Sequence, residues 1–363
     1  MPDPASTATT TAPRLASVDV LRGLTVAGML LVNNAGDWSH VHPWLRHAAW
    51  HGCQPADLIF PLFLFVAGVS LSLAVGPQLE RGRASPPLCR ALLLRAARVF
   101  GLGLLLHVAA ALLIPDRDLR LPGVLQRIGL CIAIAGPATL YLKPRAQWWL
   151  FGSLLAASAL LLACAGMSVD RNPALAIDSA VLGRFAYQYD AATGRAFDPE
   201  GLFGMLGAIA TTLLGVRAGH WLRHAQRSTL VRAGACGMAG GALLHLLQPI
   251  NKSLWTPAFV LWTGGIACCV LLVTHWLTDS RGHRLPGGAL GRNAILAYAG
   301  SWLMVCTLAA NGADAWLYRH AVASWLAPLA GAEVASAAWA AAVVALWWLV
   351  AIVLDRRGFY WKI

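Results

Sequence analysis

Ten stretches of mostly apolar residues recur along this chain, at about 16–34, 56–76, 91–114, 121–141, 148–167, 201–222, 229–247, 255–277, 288–309 and 335–354. A helix needs roughly 20 such residues to cross a hydrocarbon core of about 30 Å. Each stretch is near that length, so the chain reads as one that crosses a bilayer repeatedly. Inside lipid every backbone N–H and C=O must be satisfied within the protein, which makes helices the spanning element. Only 12% of the 363 residues are charged and 58% are hydrophobic. Soluble domains carry about 25% charge, so this chain cannot cover a soluble surface. Disorder, coiled coil, collagen and a disulfide scaffold are excluded by the same balance. The expected fold class is an all-α, polytopic membrane helix bundle of about ten transmembrane helices.

The net charge of +12 would suit nucleic acid, but its distribution argues against that partner. Arg81, Arg83, Arg90, Arg95 and Arg98, then Lys143 and Arg145, then Arg217, Arg223, Arg227 and Arg232, fall on one side of the alternating spans. Arg281, Arg284, Arg292, Arg356 and Arg357 join them. The acids Asp37, Asp116, Asp118, Asp170, Asp178, Asp190, Asp198, Glu200, Asp314 and Glu333 fall on the other. This is the positive-inside pattern, and it places both termini in the cytosol. Residues 1–14 read as a short disordered tail. Asp19 and Arg22 interrupt the first apolar run, so it stays as a helix and is not a cleaved signal peptide. Residues 15–363 then form a single transmembrane domain. The eight cysteines lie in or beside spans, except Cys53, and show no CxxC or Cys/His zinc spacing, so no metal is expected.

Ionisable or amide side chains within spans are costly and point to function. Asp19 and Arg22 sit three apart on helix one, as a mutual ion pair or as a cation offered to an anion. Gln126 and Arg127 sit in GVLQRIG, where the guanidinium suits a carboxylate such as Asp57 or a phosphate. Asn33 and Asn34 end helix one, as a cap or as part of a pocket. Asn251 and Lys252 occupy a very short outer turn, and Asn293 starts the ninth span. Two outer segments, 35–55 and 168–200, exceed the roughly 12–15 residues beyond which structureless loops tend to be functional. The first carries His40, His42, His47 and His51 and runs into Asp57. Histidine titrates near neutrality and is the usual general base.

The runs SVDVLRGLTVAGMLLVNN and LRHAAWHGCQPADLIFPLFLFVAG resemble the heparan-α-glucosaminide N-acetyltransferase family and its bacterial relatives. So do GVLQRIGLC at 123–131, FDPEGLFGMLGAIATTLLG at 197–215, PINKSLWTPAFVLWTGG at 249–265, GRNAILAY at 291–298 and the tail RRGFYWKI. The resemblance covers nearly everything after residue 14. It implies a transmembrane acyltransferase that moves acetyl from cytosolic acetyl-CoA to the amino group of a glucosamine-type sugar or related glycan on the far side. The family's active-site histidine lies in a His-Ala-x-Trp-x-Gly run, which here is His47 to Gly52, so His47 is the implied base or acyl carrier. An asparagine ending helix one matches Asn33. The longer loop between it and His47 leaves Asn34 as the other candidate.

On this reading Asp57 orients His47, and Arg22, Gln126, Arg127 and Asn293 serve acetyl-CoA. Asn33 or a backbone N–H faces the developing oxyanion. Asn34, Trp50, His51, Asp198, Glu200, Asn251, Lys252 and Trp255 are candidates for the acceptor, with Trp50 and Trp255 offering faces for a sugar. The carboxylates Asp198 and Glu200 equally suit a helix N-terminus. The tail is too short for the luminal domain of the animal members, and the Ala/Arg-rich style predicts a bacterial inner membrane. The Gly- and Ala-rich helices suit close packing and a homodimer. The alternative function is an amino-sugar transporter without CoA chemistry, for which the chain shows no internal repeat symmetry.

Overall fold

A computed structural model describes residues 15–361. The tail expected over 1–14 lies outside the described residues. The helices are α1 (Ala16–Asn33), α2 (Ile59–Glu80), α3 (Pro86–Leu113), α4 (Val124–Tyr141), α5 (Pro144–Ala165), α6 (Pro173–Val181), α7 (Met205–Arg223) and α8 (Arg227–His245). They continue with α9 (Pro257–His275), α10 (Gly288–Arg292), α11 (Ala294–Ala310), α12 (Ala313–Tyr318), α13 (Ser324–Ala330) and α14 (Ala332–Arg356). One small hairpin, β1 (Gln188–Asp190) with β2 (Arg195–Phe197), sits between α6 and α7. The fold is therefore an all-α helix bundle, as the apolar runs predict.

Several boundaries follow from local chemistry. Proline opens α3, α5, α6 and α9, where its missing N–H costs nothing and its φ suits the first turn. Asn172 caps α6 by accepting from Leu175 N at 2.8 Å, and Thr256 caps α9 through Phe259 N. The π-helical turn Trp276–Ser280 ends α9.

Among the described residues, seven helices are long and apolar enough to cross a membrane: α1, α2 with its preceding turn, α3, α4, α5, α9 and α14. The pair Ala294–Ala310 and Ala313–Ala330 is bent by 94° and makes an eighth if it counts as one span. The ranges read as spans six and seven do form α7 and α8, but these helices are less apolar. For α7 the physical reason is position. Most of α7 is buried by protein, from Gly207 to Leu222, so it does not need a lipid-compatible surface. At the periphery, only 17% of the most apolar stretch of α5 and of α14 is buried, against 61% for α1. Leu105, Leu112, Trp149, Leu160 and Leu349 face outward there, as a lipid-facing belt requires.

The centre is the α2–α7 contact. Small residues let the two backbones touch: a Cβ on Gly68 would stand 2.0 Å from Thr212 O, and one on Gly215 2.1 Å from Phe65 O. Around this seam pack Leu64, Leu71, Ile128, Leu213 and Phe259. We expect Gly215→Val to lower the melting temperature in detergent, costing at least about 1–3 kcal/mol through overpacking. Gly101→Ala on α3, where nothing lies within 4 Å, should be neutral or stabilising by up to about 1 kcal/mol. Equal Tm values for the two variants would refute the tight seam.

Candidate active site

The chain enters α2 through a short turn, Pro55–Leu58. Asp57 reaches back over that turn, and its Oδ2 accepts from Gln54 N at 2.9 Å and Ala48 N at 3.0 Å. Its Oδ1 lies 2.7 Å from His47 Nδ1. An ionised carboxylate only accepts hydrogen bonds, so His47 donates from Nδ1, which in the neutral ring leaves the lone pair on Nε2. Asp57 is 1% exposed while the His47 side chain is 44% exposed. A buried anion thus fixes a ring that remains open to the outside.

Lys252 arrives from the loop between α8 and α9. Its Nζ lies 3.4 Å from Asp57 Oδ1, and 3.0 Å and 3.3 Å from His47 Nδ1 and Nε2. The loop is tightly built. Buried Asn251 accepts from Leu254 N at 2.8 Å, its own N–H reaches Thr256 Oγ1, and Trp255 N donates to Lys252 O at 3.0 Å. Trp255 takes φ +49°, a left-handed conformation that a bulky residue adopts only when its surroundings enforce it. Gly52 N donates to Ile250 O at 2.7 Å and so ties this loop to the histidine loop. Burial lowers the Lys252 pKa, and the opposing pull of Asp57 and Glu200 does not cancel it.

Behind this cluster lies a second set of charges. Arg120 grips Asp198 with two hydrogen bonds, 2.8 Å from Nε and 2.5 Å from Nη2, and also bonds Glu200. Asp198 further accepts from Tyr187 N and Glu200 N. Burial opposes the Arg120 charge, but Glu200 and Asp198 outweigh it and raise its pKa. Burial alone would raise Glu200; Arg120 and Arg127 bring it below its usual range. Arg127 is 1% exposed and donates to Gly201 O at 2.9 Å. It lies 5.0 Å from the Trp255 ring centroid and 6.0 Å from that of Phe60, a cation–π arrangement.

The sequence-predicted residues divide into groups. His47, Asp57 and Lys252 meet in one cluster, with His51 3.4 Å from Asn251 at its edge. Partial burial and then His245 lower the His51 pKa. Asn33 is exposed at the end of α1, whereas buried Asn34 turns its amide onto Leu30 O at 2.6 Å, the capping arrangement. Trp255 is 1% exposed and lies under Arg127, so its face is not open to a sugar. Trp50 bonds Met167 O and packs on Phe197. Asp198 is saturated by protein donors, and neither Asp198 nor Glu200 caps α7, which begins at Met205.

Arg127 does not pair with Asp57. Gln126 bonds Leu121 O beside His107, at the α3–α4 junction. Arg22 lies near the other end of α1, some 16 Å along the helix from Asn33 at 1.5 Å per residue. There it bonds Asp19 at 3.0 Å and Ser70 at 2.6 Å. Asn293 is 1% exposed, in the break between α10 and α11. Its amide has no partner among the described residues. The Arg120 pairing carries no sequence signal, because the residue sits in a loop without periodic spacing.

These features define a polytopic, helical membrane protein whose loop site is a carboxylate-held histidine beside a half-buried cation. The chain belongs to the family described as "Heparan-alpha-glucosaminide N-acetyltransferase, catalytic", whose profile matches residues 14–246. It is 28% identical over 417 residues to the human protein named heparan-alpha-glucosaminide N-acetyltransferase, covering 97% of this chain and 60% of that protein. A mouse protein of the same name is 26% identical, at 97% and 61% coverage. The chain therefore spans about three-fifths of the length of these relatives.

One structural acid in this layer titrates near pH 6. Asp178 of α6 is fully buried and accepts from Asp198 N at 3.0 Å and Leu202 N at 3.3 Å. Burial outweighs those donors and pushes its pKa up to about 6. The folded state thus binds this proton more tightly than the unfolded chain. The Asp178 contribution to stability is full below about pH 4 and falls as pH rises to about 6. Asp178→Asn should flatten that part of the Tm–pH profile relative to wild type. Superimposable slopes would show that Asp178 does not titrate there.

Proposed function

We propose that this chain is a transmembrane acetyltransferase, taking acetyl from cytosolic acetyl-CoA and delivering it to the amine of a glucosamine-type sugar or related glycan outside. The observation that carries this reading is the 2.7 Å His47–Asp57 contact at an exposed ring. A buried carboxylate on Nδ1 holds the tautomer whose Nε2 accepts a proton, the arrangement of a general base. Lys252 beside it repels an ammonium ion, so the neutral amine is the form that binds and attacks. Asn33, exposed at the end of α1, is left to position the acceptor. Asp198 has no free lone pair for that task.

Acetyl-CoA is a substrate, and the residues present suit it. A cavity between α1, α2, α3, α4 and α11 is lined by Arg22, Ser70 and Arg95, and otherwise by side chains such as Leu92, Val99 and Ile128. The cations lie in the N-terminal halves of α1 and α3, the cytosolic ends if both termini are cytosolic, and suit the nucleotide phosphates. The apolar wall suits the thin pantetheine arm. Asn293, whose neighbours Ala294 and Ile295 line the same cavity, offers an unpartnered donor and acceptor to the arm's amides. The polyanionic nucleotide need not cross the bilayer: only the thioester reaches the outer end. Ten crossings in a bacterial inner membrane, alone or as a homodimer, complete this reading.

Purified protein supplied with acetyl-CoA and glucosamine should release CoA. His47→Ala should lose at least about 10³-fold in kcat, and Asp57→Asn about 10²–10⁴-fold, the range of general-base catalysis. Arg22→Gln and Arg95→Gln should raise the acetyl-CoA KM by about tenfold with kcat little changed, as loss of a charge-assisted contact predicts. Full turnover in His47→Ala would remove the assignment. A wild type that does not bind acetyl-CoA would favour sugar transport instead.

A further inference from the structure

Two nitrogens of the Arg127 guanidinium have no acceptor among the described residues. Nη2 bonds Gly201 O at 2.9 Å, while Nε and Nη1 have no partner among the described residues. Buried polar groups are nearly always hydrogen-bonded, and orphaned charged donors are the costliest exceptions. The Trp255 and Phe60 rings attract the cation but offer its N–H groups no lone pair. Glu200, the nearby carboxylate, is bonded to Arg120. Room for the guanidinium is made by Gly204, where a Cβ would stand 2.8 Å from Nη2. This is a charged donor held in place with capacity to spare.

Its position relates it to the histidine. Phe60 lies three residues after Asp57, Trp255 three after Lys252, and Gly201 one after Glu200. Arg127 thus contacts chain neighbours of Asp57, Lys252 and Glu200. It is the fourth residue of α4, and helical Cα–Cβ bonds tilt toward the N-terminus, here the end at which the cluster sits. Arg22 and Arg95 lie at the opposite end, so a nucleotide held there cannot also place its phosphates on Arg127.

We propose that Arg127 is a catalytic residue whose unpartnered N–H groups donate to the carbonyl oxygen of the acyl thioester as it becomes an oxyanion. This rests on the acetyl-CoA reading above. The acceptor nitrogen forms a bond to the carbonyl carbon while the C=O π pair moves onto the oxygen facing Arg127. The nitrogen's proton passes to His47 Nε2. The oxygen pair then re-forms C=O, the C–S bond breaks, and the CoA thiolate leaves with the C–S bonding pair and takes the proton from His47. Nothing is oxidised or reduced. A preorganised donor in a water-excluded site strengthens as charge develops, which is what stabilises a transition state over a ground state.

The test combines kinetics with infrared spectroscopy of bound acetyl-CoA carrying heavy carbon at its carbonyl. In wild type the labelled band should lie below its position in water. In Arg127→Lys and Arg127→Gln it should return toward that position. Their kcat should fall by about 10²–10³-fold, as for loss of one oxyanion donor, with the acetyl-CoA Kd held within about threefold. Unchanged kcat, or lost activity with an unmoved band, would overturn the assignment. If the variants do not survive purification, the wild-type band alone decides, and an unshifted band overturns it. Failure of wild type to bind acetyl-CoA would instead remove the donor reading itself, a separate result.

Discussion

The carboxylate of Asp57 is almost fully withdrawn from water, and a buried anion persists only if its lone pairs are filled and its charge is met. Two backbone N–H groups, an imidazole and an ammonium fill that role. Those partners come from two loops. His47, Ala48 and Gln54 belong to the histidine loop, and Lys252 comes from the loop before α9. Satisfying one carboxylate therefore fixes two loops and the tautomer of the ring. The Gly52–Ile250 backbone bond adds a second tie between the same loops.

A second layer repeats the device at larger scale. Arg120 gathers Asp198 and Glu200, Asp178 pins the backbone of the same segment, and Gly201 offers its carbonyl to Arg127. The charges of the two layers compensate one another, so no charge type dominates the mouth of the bundle. Arg127 is the member whose hydrogen-bonding capacity exceeds its supply. Below both layers the helices close on each other through small residues, and the α2–α7 seam places Phe60 and Gly204 where the site needs them. Packing and chemistry share the same helices: the turn that carries Asp57 leads directly into α2.

The arrangement separates two tasks along the bundle. Near the ends of α1 and α3 that hold Arg22 and Arg95, cations border an apolar cavity suited to an anionic group with a thin tail. At the other end stands the oriented histidine.

Much of this was legible in the residue order. The apolar runs predict helices because lipid permits little else, and each run falls on a helix. His47 stood out through its neighbours, and the Asp19–Arg22 pair formed at the i, i+3 spacing that a helix makes adjacent. What could not be read is which distant polar groups consume one another. Asp198 had the look of a ligand for an amine until Arg120, 78 positions away, took up its lone pairs. Trp255 had the look of a sugar platform until folding placed it under Arg127. Arg127 suited a carboxylate such as Asp57, and folding instead set it against the Gly201 carbonyl. Periodicity reports local geometry and solvent, so order alone determined the bundle and the histidine loop. The pairing of buried charges depends on contacts between segments dozens to hundreds of residues apart, and only the tertiary structure decided those.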